Sequence, residues 1–273
     1  MPSFPVRSSI AIAAGMATGM LLIRARNRRR AAERFAAATL EALLNAIDAN
    51  DAQTGAHVRR VAAYALVIAD AAQLADHEKK IVERVALFHD IGKIHEALFD
   101  IIHEHTGLTP AERREIATHP QRGAQVLAPL APFYPDLAEG ILAHHERWDG
   151  TGYPNKLKRR RIPLSARIVT LADTFDAVTH SRRYRDGRGP EAAAKIIEAG
   201  RGTQFDPELV DLMLFPPVFD QIVSQEREFN LRPRRVRKDR RRGSREETPD
   251  VTFRWRPEPP AQHAPDLMHQ ESH

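Results

Sequence analysis

From Ala31 to about residue 224 the apolar residues recur at helical spacing, and no stretch holds a sustained two-residue alternation. Half-buried strands alternate every second residue and amphipathic helices every third or fourth, so this pattern reads as an all-α helical bundle. Composition only supports it. Apolar content of 42% and charged content of 28% are ordinary, while abundant Ala and Leu with 6% aromatics lean towards helix. The spacing predicts helices over 31–50, with Phe35, Leu40, Leu43, Leu44 and Ile47 as apolar positions, over 57–75 and over 78–90. Another opens at Thr109, where Pro110 at the first helical position and Glu112 form a capping box. The pair His119–Pro120 interrupts it, because a residue before proline is pushed out of the helical region. Further helices follow over about 137–147, 165–180, 190–199 and 207–224.

The ends read differently. Residues 9–23 carry no charge and run straight into RARNRRR. A cleavable signal would place its charges before the apolar run, so 1–30 is expected to be an N-terminal membrane anchor with a basic flank. The run is shorter than the roughly 20 residues a span usually needs. The expected location is the inner (cytoplasmic) membrane with the remaining chain in the cytoplasm, the alternative being a cytoplasmic protein. Residues 31–50 then form a linker helix, 51–228 the folded domain, and 229–273 a disordered basic and Pro-rich tail. The linker helix could pair with a copy of itself. The tail is expected to be a solvated extension, with no nucleic-acid partner.

There is no cysteine, which excludes disulfides, thiol catalysis and zinc–thiolate sites. Any metal must therefore sit on His, Asp or Glu, a donor set that suits divalent ions such as Mn, Fe, Co or Zn. His57, His89 and Asp90, His119, His144 and His145, and Asp173 all fall at or near predicted helix ends. Taken singly, each has a bland reading as a hydrogen-bonded core or surface residue. Lys93, four residues after His89, would be a solvated helix-end lysine. Their occurrence together, in order, changes the odds.

The stretch HHERWDGTGYP, His144 to Pro154, is the most specific. With HDIGK (89–93), THPQRG (118–123), RIVTLAD (167–173), DAVTHSRRYR (176–185) and GTQFDP (202–207), it resembles the HD-GYP family of HD-domain phosphohydrolases over about residues 50–215. The resemblance implies a helical domain that hydrolyses cyclic di-GMP, to linear pGpG or GMP, by a metal-activated hydroxide in bacterial signalling. It implies that His57, His89, Asp90 and Asp173 hold one ion, Asp90 bridges to a second, and His119, His144 and His145 hold that one. The expected cofactors are two divalent ions, Fe or Mn, about 3.5–4 Å apart. Lys93, with Asp90, would serve catalysis and lie near the scissile phosphate, and Arg182 and Arg185 would contact substrate phosphate. Tyr153 would touch substrate, and the Gly-Tyr-Pro loop is also linked with signalling partners. Asp176, three residues beyond Asp173, could orient a ligand or be a surface carboxylate.

Two departures stand out. Gln53 occupies the place of a glutamate found in trimetal members, so a binuclear site is expected. The segment from His95 to Gly107 lacks the family's Lys-Pro-Gly turn, and its extra His95, His103 and His105 read as surface variation. Two other functions compete: hydrolysis of another nucleotide, and a non-catalytic cyclic di-GMP receptor, which the complete ligand set disfavours.

Overall fold

A computed structural model describes residues 6–94, 109–180 and 187–231, with side chains from residue 19. The helices are α1 (Val6–Asn50), α2 (Ala52–Ala71), α3 (Asp76–Phe88), α4 (Pro110–Ile116), α5 (His119–Leu127), α6 (Pro135–Ala143), α7 (Leu164–Thr179), α8 (Pro190–Ala199), α9 (Pro207–Leu214) and α10 (Pro216–Leu231). Among the described residues the only strand-like pairing is one isolated bridge, Arg201 with Phe205. The fold is all-helical.

Several boundaries differ from those the spacing predicts, each for a local reason. α2 starts before residue 57 because the Asp51 carboxylate accepts from the N–H groups of Gln53 and Thr54 and caps it. It ends before residue 75, where Gln73 takes a left-handed φ of 56°. The single helix expected over 207–224 is two, because Phe215, before Pro216, leaves the helical region with ψ 124°. α10 then continues to Leu231, past the residue where the tail was expected to begin. The Thr109 capping box forms as the spacing predicts: Thr109 N–H donates to Glu112 Oε2 (2.7 Å) and Glu112 N–H to Thr109 Oγ1 (3.2 Å).

The chain divides into two units, with the boundary inside α1 between Ala42 and Leu43. The anchor expected at 9–23, and the inner-membrane location built on it, are corrected. No helix among the described residues is long and apolar enough to cross a membrane. α1 carries the short apolar run directly into the arginines from Arg24 onward, so the run never reaches spanning length. Nor is there a break at residue 30 between anchor and linker. Phe35, placed by spacing on the apolar face, is 75% exposed. It lies five residues before Leu40, roughly 140° round the helix from it.

In the second unit α2, α3 and α7 pack against one another, α10 lies on α2, and α5 and α6 pair beside α3. Val61, Tyr64 and Ile68 of α2, Val85 of α3, and Ile168, Leu171 and Phe175 of α7 are fully buried. Tyr64 anchors this core by edge contacts to Phe175 (5.1 Å between ring centres) and to Phe229 (6.3 Å). Removing the half-buried Phe229 ring is expected to cost about 1 kcal/mol, from one aromatic pair plus partial burial. Phe229→Ala should therefore melt about 2–4 °C lower by differential scanning calorimetry. An unchanged melting point would place the end of the cooperative domain before residue 229.

Candidate metal centre

The centre is built where helices end. α3 stops at Phe88, His89 caps it, and a 3-10 turn over Ile91–Ile94 follows, with Lys93 N–H on Asp90 O (2.9 Å). That turn lies against the start of α5. A Cβ on Gly92 would stand 2.1 Å from His119 O and 2.7 Å from the Gly123 N–H, so only glycine allows the approach.

Helix C-termini leave carbonyls without N–H partners. Here histidines three residues on supply the missing donors. His89 Nδ1–H donates to Ala86 O (2.7 Å), His119 Nδ1–H to Ile116 O (2.7 Å), and His144 Nδ1–H to Ile141 O (2.6 Å). A carbonyl only accepts, so the proton must be on Nδ1 and each Nε2 presents a lone pair. His57 is oriented otherwise: its Nδ1–H donates to Asp176 Oδ2 (2.7 Å). Arg60 grips the same carboxylate from both sides, Nε to Oδ1 at 2.6 Å and NH2 to Oδ2 at 2.9 Å.

Three of these Nε2 atoms surround Asp90. His57 Nε2 lies 3.8 Å, His89 Nε2 3.6 Å and His119 Nε2 3.4 Å from its carboxylate oxygens, and Asp173 Oδ1 is 3.4 Å from His57 Nε2. Two groups of ligand atoms emerge, His57 with His89 and Asp90, and His119 with His144 and His145. His119 Nε2 and His144 Nε2 face each other at 3.1 Å with no hydrogen between them. His89 Nε2 and Asp90 Oδ1 are buried without a hydrogen-bond partner. Acceptors turned towards acceptors, and orphaned in a buried place, are costly unless a cation lies among them. The residues present therefore fit divalent metal ions, and the imidazole–carboxylate set fits borderline or harder ones.

Charge follows the same division. Burial pushes His119 down to about 3 and His145 down to about 4, aided by Lys93, and pushes His144 well below its ordinary value, aided by its histidine neighbours. That half is neutral at pH 7. Burial would lower His57 too, but its bond to Asp176 and the charges of Asp176, Asp173 and Asp90 raise it instead. Burial opposes ionisation of Asp90, yet Lys93, whose Nζ sits 2.6 Å from Oδ2, and the surrounding histidines hold it well below the usual carboxylate range. His89, His119, His144 and Asp90 are buried, while His57, His145, Asp173, Lys93 and Tyr153 are half-buried.

The Gly-Tyr-Pro loop braces the histidine pair. The Tyr153 ring stacks on His145 (4.9 Å, 21°), and Thr170 Oγ1 donates to His144 O (2.7 Å). Glu146, buried, accepts from the N–H groups of Asn155 (2.6 Å) and Leu157 (3.1 Å). The GTQFDP turn holds the loop from behind: Trp148 N–H donates to Gln204 O and Asp149 N–H to Thr203 O, while Arg167 pairs with Asp206.

The structure thus brings His57, His89, Asp90, His119, His144, His145 and Asp173 together, with Lys93 and Tyr153 beside them and Asp176 buried behind His57. Arg182, Arg185, His95, His103 and His105 lie outside the described residues, as does the tail from residue 232. Sequence reasoning missed Arg60, Glu146 and Thr170. Arg60 was findable: it lies one helical turn after His57, on the same face.

An all-helical domain with a His/Asp cluster at its helix ends is the architecture of an HD domain. The HD domain family matches residues 41–209, and the chain belongs to it, in its HD-GYP branch. It is 38% identical over 174 residues to "3'3'-cGAMP-specific phosphodiesterase 2" of Vibrio cholerae, covering 63% of this chain and 33% of that one. It is 38% identical over 178 residues to the "Cyclic di-GMP phosphodiesterase response regulator RpfG" of Xanthomonas campestris, covering 64% and 47%. The chain thus spans a third to a half of the length of these relatives. The crystal structure of a cyclic GMP-AMP phosphodiesterase of V. cholerae, V-cGAP3, superposes with a TM-score of 0.50 at 25% identity, over 71% of this chain and 53% of that one. The Listeria monocytogenes PgpH HD domain, solved with cyclic-di-AMP, has a TM-score of 0.50 at 18% identity over 71% and 99%, a likeness of fold alone.

Gly92→Ala should drive the turn off α5, displacing His119, and weaken metal binding by about tenfold or more while the helices persist. Metal content by atomic emission beside circular dichroism checks it, and undiminished metal uptake would refute it. Glu146→Gln must turn an amide NH2 towards a backbone N–H, which costs about 1–3 kcal/mol. A melting point lower by about 2–4 °C per kcal/mol is expected.

Proposed function

We propose that residues 51–228, together with the last turn of α10, form a metal-dependent phosphodiesterase for 3′,3′-cyclic dinucleotides, with a binuclear Fe or Mn centre. The observation that carries this reading is the convergence of the His57, His89 and His119 Nε2 atoms on Asp90, with His144 Nε2 facing that of His119 and the Nδ1 proton of each ring spent elsewhere. Two ligand groups, and an exposed Gln53 in the first turn of α2, support two ions rather than three. His57, His89, Asp90 and Asp173 would hold one ion and His119, His144 and His145 the other, with Asp90 between them. When bound, such ions supply an acidified water and charge neutralisation at a phosphate.

The chain's own groups do the positioning. Lys93 is only half-buried, so its ammonium can leave Asp90 to meet a non-bridging phosphate oxygen. Tyr153 holds His145 in place and offers its other face to a base. Arg182 and Arg185 are proposed as phosphate contacts on their motif positions. Relatives named for cGAMP as well as for cyclic di-GMP support the wider alternative, hydrolysis of another nucleotide, better than a substrate narrowed to cyclic di-GMP.

The protein loaded anaerobically with Fe(II) or Mn(II) should cleave at least one of cyclic di-GMP, 3′,3′-cGAMP and cyclic di-AMP, followed by chromatography. Chelation should abolish turnover and metal should restore it. His89→Ala and Asp90→Ala should each lower it at least about a hundredfold. Tight binding without turnover at full metal occupancy would make the protein a receptor, and neither binding nor turnover would exclude cyclic dinucleotides.

A further inference from the structure

This inference rests on the metal-binding reading above and concerns a residue that reading does not use. Three of the site histidines are oriented by backbone. His89, His119 and His144 each donate to a carbonyl three residues back, in the last turn of the preceding helix, and no side-chain substitution elsewhere removes those acceptors. His57 sits in the first turns of α2, where carbonyls are already engaged by the helix, and its acceptor is the Asp176 carboxylate on α7. Asp176 is almost fully buried, so it needs partners of its own. The fork of Arg60 supplies them, occupying both oxygens, and His180 Nδ1 lies a further 3.2 Å from Oδ1. Asp176 thus has both oxygens committed, and the one facing His57 is held where the ring's Nε2 points at Asp90 and Asp173.

We propose that Arg60, acting through Asp176, is the positioning residue for His57, so that His57 depends on a removable chain of hydrogen-bonded side chains while His119 and His144, on the other side of the centre, are held by backbone carbonyls. The planar guanidinium is the required chemistry: it fixes the carboxylate plane with two bonds, where an ammonium would make one unoriented contact. Losing such an orienting partner typically weakens metal binding by about tenfold to a hundredfold.

The test is calorimetric titration of the metal-free full chain with Mn(II), and with Co(II), whose visible absorption reports histidine coordination. The wild type should take up two ions. In Arg60→Gln one binding step should weaken by about tenfold to a hundredfold and the other stay unchanged, with Arg60→Lys recovering part of the loss. The decisive comparison is a double-mutant cycle. In a His57→Ala background, Arg60→Gln should have no further effect on metal binding, whereas in a His119→Ala background it should remove most of the binding that remains. Equal weakening of both steps, or an Arg60→Gln effect that persists without His57, would make Arg60 a structural residue only and overturn the proposal. A wild type that binds both ions beside an Arg60→Gln variant that binds them equally well would overturn this inference alone. A wild type that takes up neither ion would overturn the metal-centre reading and this inference with it.

Discussion

The carbonyl oxygens that a helix leaves unpaired at its C-terminus organise this protein. The last turns of α3, α4 and α6 all end near one point, and a histidine follows each at the distance where its Nδ1–H can reach back. One hydrogen bond thereby settles two debts of the fold: it satisfies a helix end and it fixes a tautomer. Each ring is then a rigid extension of its helix, with the Nε2 lone pair aimed inward. The packing of helices around Tyr64, Phe175 and Val85 thus becomes a placement of nitrogen atoms.

Asp90 gives those nitrogens a common centre. It follows His89 directly, beyond the end of α3, and the turn that carries it can approach α5 only because Gly92 has no side chain to keep the two apart. The result is an asymmetric cluster. On one side three neutral imidazoles are held by backbone or, for His145, by the Tyr153 ring. On the other, His57 stands among Asp90, Asp173 and Asp176, where negative charge accumulates and Arg60 and Lys93 partly offset it. The cluster is also uneven in burial, with His89, His119, His144 and Asp90 buried and His57, His145, Asp173 and Lys93 half-buried.

The motifs beyond the ligands find their reasons in this frame. The Gly-Tyr-Pro loop, the RIVTLAD helix and the GTQFDP turn are far apart in sequence yet meet behind His144 and His145. Glu146 binds the loop backbone, Thr170 holds the His144 carbonyl, and Arg167 ties α7 to Asp206. Their sequence positions mark them as parts of one pattern, but nothing in that pattern says that Trp148 and Asp149 hydrogen-bond to residues 204 and 203.

The helical class and the capping box at Thr109 were legible in the sequence because each depends on residues within one or two turns of one another, and the candidate ligands were legible as motifs in the order of the family they resemble. The same local character explains the misreadings. Pro216 splits one expected helix, Asp51 starts another early, and the apolar run at 9–23 passes into a long helix too charged to span a membrane. What only the tertiary structure decided is how residues 57, 90, 119, 144 and 173 share one point, which face of each imidazole looks inward, and that Arg60 and Asp176 stand behind His57. Those are contacts between helices far apart along the chain, and hydrophobic periodicity reports which face of a helix is buried but not what it is buried against.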